Sequence, residues 1–157
     1  MAIKFVALDV YGTMISSRYG HLSARKGLEN LFGYASDNNI KLVTSSDTDD
    51  DTIRGDLLDA RVNIGIFSRT FELKIYPKEF NIITDCYKLK TDELLVVGDT
   101  YEADIQGAID NNSRYIHVWK YQESADRDKF DFSWVINAIQ RADSLPGLNL
   151  SSLAVRN

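Results

Sequence analysis

The stretch Leu94-Leu95-Val96-Val97-Gly98-Asp99-Thr100-Tyr101-Glu102-Ala103-Asp104-Ile105-Gln106-Gly107-Ala108 decides how the rest of the chain is read. Four consecutive apolar residues predict a strand buried on both faces, as strands of parallel sheets are. Gly98 ends the run and Asp99 brings a carboxylate to the strand's carboxyl end. Ile105, Ala108 and Ile109 then recur at helical spacing, with Asp104 in the first turn and Gly107 allowing close approach to a neighbour. Two carboxylates so placed can offer hard oxygen ligands to Mg²⁺, directly or through its waters. The plain alternative is a turn at Asp99 and a helix start stabilised by Asp104.

The same pattern appears on either side. Phe5-Val6-Ala7-Leu8 is a short buried run that ends at Asp9, and Ile40-Lys41-Leu42-Val43 ends at Thr44. Asn63-Ile64-Gly65-Ile66-Phe67 is a weaker strand between them and the first stretch, and Tyr115-Ile116-His117-Val118-Trp119 is a fifth nearer the sheet edge. Helical stripes intervene: Leu28, Leu31 and Phe32; Ile53, Leu57 and Leu58; Phe132, Val135, Ile136 and Ile139. Alternating strands and helices predict an α/β, three-layer, Rossmann-like fold with a mainly parallel five-stranded sheet. Such sheets bind ligands beyond the carboxyl ends of their strands, at the topological switch point. Asp9, Thr44 and Asp99 all fall at such ends.

In Asp9-Val10-Tyr11-Gly12-Thr13, a strand-end carboxylate can serve as a nucleophile toward phosphorus if a cation accompanies it. Gly12 permits a tight turn that leaves backbone N–H groups for phosphate oxygens. An Asp-x-x-Gly turn is also common without chemistry. In Leu42-Val43-Thr44-Ser45-Ser46-Asp47, the Thr44 hydroxyl can meet a phosphate oxygen, while Ser45, Ser46 or Asp47 caps the helix that follows. The acidic run from Asp47 to Asp51 suits the positive end of that helix. In Glu72-Leu73-Lys74-Ile75-Tyr76-Pro77-Lys78, a lysine aimed at the site would offset its negative charge; residue type alone does not choose between Lys74 and Lys78, and Pro77-Lys78 also reads as the opening of a helix.

Taken together, the four segments resemble the haloacid dehalogenase superfamily, whose members are mostly Mg²⁺-dependent phosphatases and phosphotransferases. The resemblance runs over roughly residues 3 to 120, and Lys74 precedes Asp99 by 25 residues, a spacing like the family's. It implies that Asp9 is the nucleophile of an aspartyl-phosphate intermediate, with Thr44 and Lys74 in catalytic support. Gly12, Thr44, Ser45 and Lys74 would hold the phosphate. Asp9, the backbone carbonyl of Tyr11, Asp99 and Asp104 would hold Mg²⁺ or its waters. One position departs from the phosphatase pattern: a second aspartate two residues after the nucleophile serves there as general acid and base, and this chain has Tyr11. A tyrosine can donate a proton, but with an ordinary pKa near 10 it is a poor base at neutrality. Two alternatives follow: a catalytically weak or silent interaction protein, and a 2-haloacid dehalogenase, whose branch carries tyrosine there but typically lacks the Gly98-Asp99 pattern.

Roughly 30 residues lie between Asp9 and Thr44, and a similar number between Thr44 and Lys74, too few for an inserted cap beside a sheet-covering helix. The resemblance therefore implies a single capless domain over 1–157, with 144–157 as a C-terminal tail. Capless members act on phosphorylated small molecules or on macromolecules that shield the site themselves, and a homo-oligomer can also supply a lid. Arg18 and His21 would stand by the entrance, and Arg69 follows the third strand; ordinary surface roles suit all three. The two histidines, His21 and His117, are too far apart in sequence to suggest a zinc site. A net charge of −5 with no basic stripe argues against nucleic acid as a partner. The lone Cys86 excludes an internal disulfide and agrees with a cytoplasmic setting. The apolar start, cut by Lys4 and ended by Asp9, is too short for a membrane span or signal peptide.

Overall fold

The computed structural model describes residues 2–17, 22–62, 71–76 and 78–156, with backbone alone for 71–76. The elements follow in the order β1 (Phe5–Asp9), α1 (Leu28–Asp37), β2 (Lys41–Ser45), α2 (Asp50–Asp59), β3 (Phe71–Tyr76), α3 (Phe80–Cys86) and β4 (Leu94–Gly98). A π-helical turn, Tyr101–Ile105, runs into α4 (Gln106–Asp110); β5 (Arg114–His117) and α5 (Ser133–Gln140) complete the set. All four strand pairings are parallel, and the sheet order is β3-β2-β1-β4-β5.

The five-stranded parallel sheet matches the expectation, and its burial explains the apolar runs. β4 is buried at every position, and β1 and β2 at all but their first residues. Val6, Leu8 and Leu42 face one core with α1, α2 and α5; Ala7, Val43 and Val96 face a second with α3 and α4. Strand alternation divides these residues between the two helical layers. β1 has β2 on one side and β4 on the other, so the chain reverses its direction of travel across the sheet there. The crevice at that reversal lies between the carboxyl ends of β1 and β4.

Several details differ from the sequence reading. The strand beside β2 is Phe71–Tyr76; the expected strand at 63–67 lies outside the described residues, as do Arg18, His21 and Arg69. Phe71-Glu72-Leu73-Lys74-Ile75-Tyr76 largely alternates apolar and polar residues, as suits a strand that pairs on one side among the described residues, so it lacks the continuous run of a central strand. Leu58 does not share the buried stripe of α2: it is 74 % exposed, while Ile53 and Leu57, four apart, are fully buried. The cap of α2 is Asp49, whose carboxylate accepts the Thr52 N–H at 3.0 Å, and not Ser45, Ser46 or Asp47. In the tail, Leu150 and Leu153 pack into the first core, and the Leu150 N–H donates to the Tyr115 carbonyl at 2.9 Å along β5.

The contrast on α2 is measurable. Leu57→Ala should cost about 2–5 kcal/mol of unfolding free energy, from lost burial and the cavity left behind. Leu58→Ala should stay within about 0.5 kcal/mol. Urea unfolding of both variants checks the assignment, and equal losses would contradict it.

Candidate functional site

Asp9, Asp99 and Asp104 come from three different points in the chain, and one carboxylate oxygen of each lies within 4.8 Å of the others. Asp9 is the last residue of β1, Asp99 the first beyond β4, and Asp104 lies inside the π-helical turn. Thr13 Oγ1 sits between the first two, 3.1 Å from Asp9 Oδ2 and 3.0 Å from Asp99 Oδ1. Asp104 is fully buried; its Oδ2 accepts the Thr100 N–H at 3.2 Å, and its Oδ1 is 3.1 Å from Lys78 Nζ. Lys78 Nζ also lies 3.0 Å from Asp9 Oδ1, so one ammonium joins the nucleophile candidate to Asp104.

Two glycines make this packing feasible. A Cβ at Gly98 would come within 2.3 Å of the Asp104 carboxylate. At Gly12, where φ is +81°, a Cβ would come within 2.7 Å of Asp99 Oδ2. Gly12 therefore meets two demands at once: a left-handed backbone and a carboxylate laid against it.

Crowding three acids, two of them buried, has an electrostatic consequence. Burial, reinforced by a hydrogen bond with Asp99 and the nearby Asp104 charge, pushes the Asp9 carboxyl up to about 8, although Lys78 pulls it the other way. Burial likewise raises Asp104 against the pull of Lys78. Lys78 is held above its ordinary value: burial opposes its charge, but Asp9 and Asp104 outweigh that. An all-oxygen donor set with excess negative charge fits a hard divalent cation such as Mg²⁺, which would favour the ionised forms. Asp9, Asp99 and Asp104 are the side chains that would hold it.

Of the other predicted residues, Thr44 is fully buried and pairs in the sheet with Leu8, while Ser45 pairs with Asp9 itself. Ser45 Oγ is buried with no hydrogen-bond partner, so the strand residue paired with Asp9 carries an unsatisfied hydroxyl. Lys74 falls where the pairing of β2 with β3 slips between Val43 and Thr44; its side chain lies outside those described. The lysine brought to Asp9 is Lys78, just before α3. Tyr11 is turned elsewhere. Its hydroxyl donates to Asp56 Oδ2 on α2, and burial together with Asp56 raises its pKa further. With its single proton committed there, Tyr11 is a poor donor to a leaving group. His117 ends β5, and its Nε2 donates to the Asp99 carbonyl at 3.0 Å.

A cleft of about 280 Å³ opens over Asp9, Tyr11, Asp47, Lys78, Asp99 and Lys120. A larger hollow, about 470 Å³, lies at the start of α1 and is lined by none of these. Thr13, Lys78 and Asp56 were not singled out from sequence. Thr13 lies four residues beyond Asp9 in the quoted segment, and Lys78 stands just ahead of a helix; Asp56 carries no such signal.

The crowded acids predict a pH dependence of stability in chelated protein. Asp9 binds its proton more tightly when folded, because about 8 exceeds the ordinary 3.8. Stability contributed by that proton is present below about pH 4 and is lost progressively as pH rises through 8. Thermal unfolding in EDTA should show wild type losing more stability than Asp9→Asn between pH 5.5 and 8.5, with Mg²⁺ restoring wild type. Parallel loss in both proteins would contradict the crowding.

A scan against protein-family models gives no match, and neither does a search of curated proteins. Solved structures do match. A haloacid dehalogenase-like family hydrolase from Xanthomonas campestris superposes with a TM-score of 0.66 at 10 % identity, over 92 % of this chain and 95 % of that one. A predicted phosphatase from Clostridium acetobutylicum gives 0.65 at 13 % identity, over 92 % and 100 %. A HAD-superfamily hydrolase from Ehrlichia chaffeensis gives 0.64 at 14 % identity, over 89 % and 97 %. With its parallel sheet ordered 3-2-1-4-5 and its acids at the ends of β1 and β4, the chain has the fold of the haloacid dehalogenase-like hydrolases.

Proposed function

We propose that this chain is a Mg²⁺-dependent phosphohydrolase that transfers a phosphoryl group to Asp9. The observation that carries the reading is the convergence of Asp9, Asp99 and Asp104 within 4.8 Å, with Lys78 on the nucleophile. Solved relatives described as hydrolases and phosphatases lend support through the shared fold.

Mg²⁺, when bound, supplies charge neutralisation that lets an anionic carboxylate approach an anionic phosphate. Asp9 Oδ forms a bond to phosphorus as the ester P–O bond breaks, and water then attacks the aspartyl-phosphate to release phosphate and restore the carboxylate. Lys78 offsets charge on Asp9 and the transferring group. Ser45 and Thr44 at the end of β2 and the turn at Gly12 are the proposed phosphate contacts; Lys78, paired with Asp9, is proposed for the charge-offsetting role expected of Lys74, whose side chain lies outside those described. Asp104 serves by fixing Lys78 and holding the metal's waters.

The proton for the leaving oxygen is the weak point. Since the Tyr11 hydroxyl is committed to Asp56, the site favours leaving groups that depart without help, such as phenolates. The same bond favours a second reading, a scaffold with little turnover; full Mg²⁺ binding without hydrolysis of any phosphate ester would establish it. A capless site of this kind would be closed by a bulky substrate or another subunit. Water-filled cytoplasm is the compartment proposed. No helix among the described residues is long and apolar enough to cross a membrane.

Assay of an aryl phosphate with Mg²⁺ and with chelator tests the proposal. Asp9→Asn should fall to background and Lys78→Met by roughly 100-fold or more. Tyr11→Phe should stay within about threefold, and Tyr11→Asp should raise the rate on alkyl phosphates. Activity surviving in Asp9→Asn overturns the nucleophile assignment.

A further inference from the structure

Arg25 is 1 % exposed, yet it forms no ion pair with a described carboxylate. Its guanidinium donates instead to backbone carbonyls: Nε to Thr13 at 3.1 Å, and Nη2 to Gly12 at 2.8 Å and to Trp119. The rings of Tyr121 and Phe130 stand 5.1 and 5.8 Å from its Cζ, and Nη1 is buried without a hydrogen-bond partner. Burial lowers its pKa only to about 10, so the group stays charged at neutrality. Burying an arginine without a carboxylate is costly, and aromatic faces offset only part of that. Its acceptors are two successive carbonyls of the loop after β1 and one from the chain beyond β5.

Those carbonyls belong to the loop that carries Thr13. In a trans peptide the C=O and the next N–H point opposite ways, so gripping the Gly12 and Thr13 carbonyls also aims the Thr13 and Met14 N–H groups. These face back toward Asp9 and Val10, with Thr13 N–H 3.4 Å from the Val10 carbonyl and Met14 N–H 3.3 Å from that of Asp9. Both bonds are long, so these two amides restrain the peptide units on either side of Thr13 weakly, whereas the rest of the loop is closed by the Gly12 N–H to the Ile15 carbonyl at 2.8 Å and the Ile15 N–H to the Val10 carbonyl at 3.1 Å. The Tyr121 N–H also donates to the Gly12 carbonyl at 2.8 Å, whereas at Thr13 the restraint comes from Arg25. We propose that Arg25 is a positioning residue: its fork on the Gly12 and Thr13 carbonyls holds the Thr13 hydroxyl between the Asp9 and Asp99 carboxylates and so sets the geometry of the acidic pair.

A through-space charge effect makes the opposite prediction about the metal. A cation close to Asp99 disfavours Mg²⁺, so removing its charge alone would tighten binding. Loss of positioning weakens binding whether or not charge is kept. Arg25→Met removes charge and fork; Arg25→Lys keeps charge and loses the fork.

The deciding experiment is amide hydrogen exchange over residues 10–17 in wild type, Arg25→Lys and Arg25→Met, with Mg²⁺ titration calorimetry on the same samples below their melting temperatures. Exchange in that loop should quicken at least about tenfold in both variants with the sheet unchanged, and Mg²⁺ affinity should fall about 10- to 100-fold in both, as for other residues that orient metal ligands. Unchanged loop exchange overturns the proposal, as does tighter Mg²⁺ binding in Arg25→Met with wild-type affinity in Arg25→Lys. If Arg25→Met does not fold, Arg25→Lys decides alone. The metal arm rests on the phosphohydrolase reading, but loop exchange does not. A wild type that binds no Mg²⁺ overturns that reading while the exchange result still judges Arg25.

Discussion

Repulsion among three crowded carboxylates, Asp9 and Asp104 buried and Asp99 half-buried, is the constraint around which this molecule is arranged. Asp9, Asp99 and Asp104 cannot all be ionised in one small space without a counter-charge, and the fold supplies one in Lys78. Among the described residues Lys78 is the ammonium paired with Asp9 and Asp104, and burial still raises Asp9 far above the ordinary carboxylate range. A hard divalent cation would complete the neutralisation, and on the proposed function the same cation would let an aspartate attack a phosphate. In this account electrostatic cost and catalytic purpose have a single origin.

The sheet makes such an arrangement possible. Because β1 lies between β2 and β4, the ends of β1 and β4 stand side by side, and their following loops meet over the crevice. The loops are then fixed by local chemistry. Gly12 and Gly98 give up side chains so that Asp99 and Asp104 can lie against the backbone. Thr13 bridges two acids, and Tyr11 ties the first loop to α2 through Asp56. Arg25, from the segment before α1, grips the same loop from behind. The tyrosine in the place of an acid–base aspartate is thus a structural strut here, which on the proposed function would shift the burden of proton transfer to the leaving group or to water.

Much of this was legible in sequence, for physical reasons. Strands buried on both faces write themselves as apolar runs, so β1, β2 and β4 and the acids at their ends could be read directly. β3, the last strand of the sheet among the described residues, alternates, and its charged residues read as part of a catalytic segment. The choice between Lys74 and Lys78 depends on where a chain turns after that strand, which residue type does not encode. Leu58 shows the limit of periodicity, since a stripe predicts a face but not its width. Arg25 and Asp56 act through tertiary contacts with residues 12 or more positions away, and nothing local to either marks it.

The central claim is that Asp9 becomes phosphorylated, and trapping that covalent species tests it most directly. Wild-type protein mixed with Mg²⁺ and a small acyl phosphate, quenched within milliseconds in acid and digested, should carry a hydroxylamine-sensitive phosphoryl group on the peptide containing Asp9, and none when the metal is chelated. Phosphate release without any label on that peptide, or a label on another residue, would contradict the account.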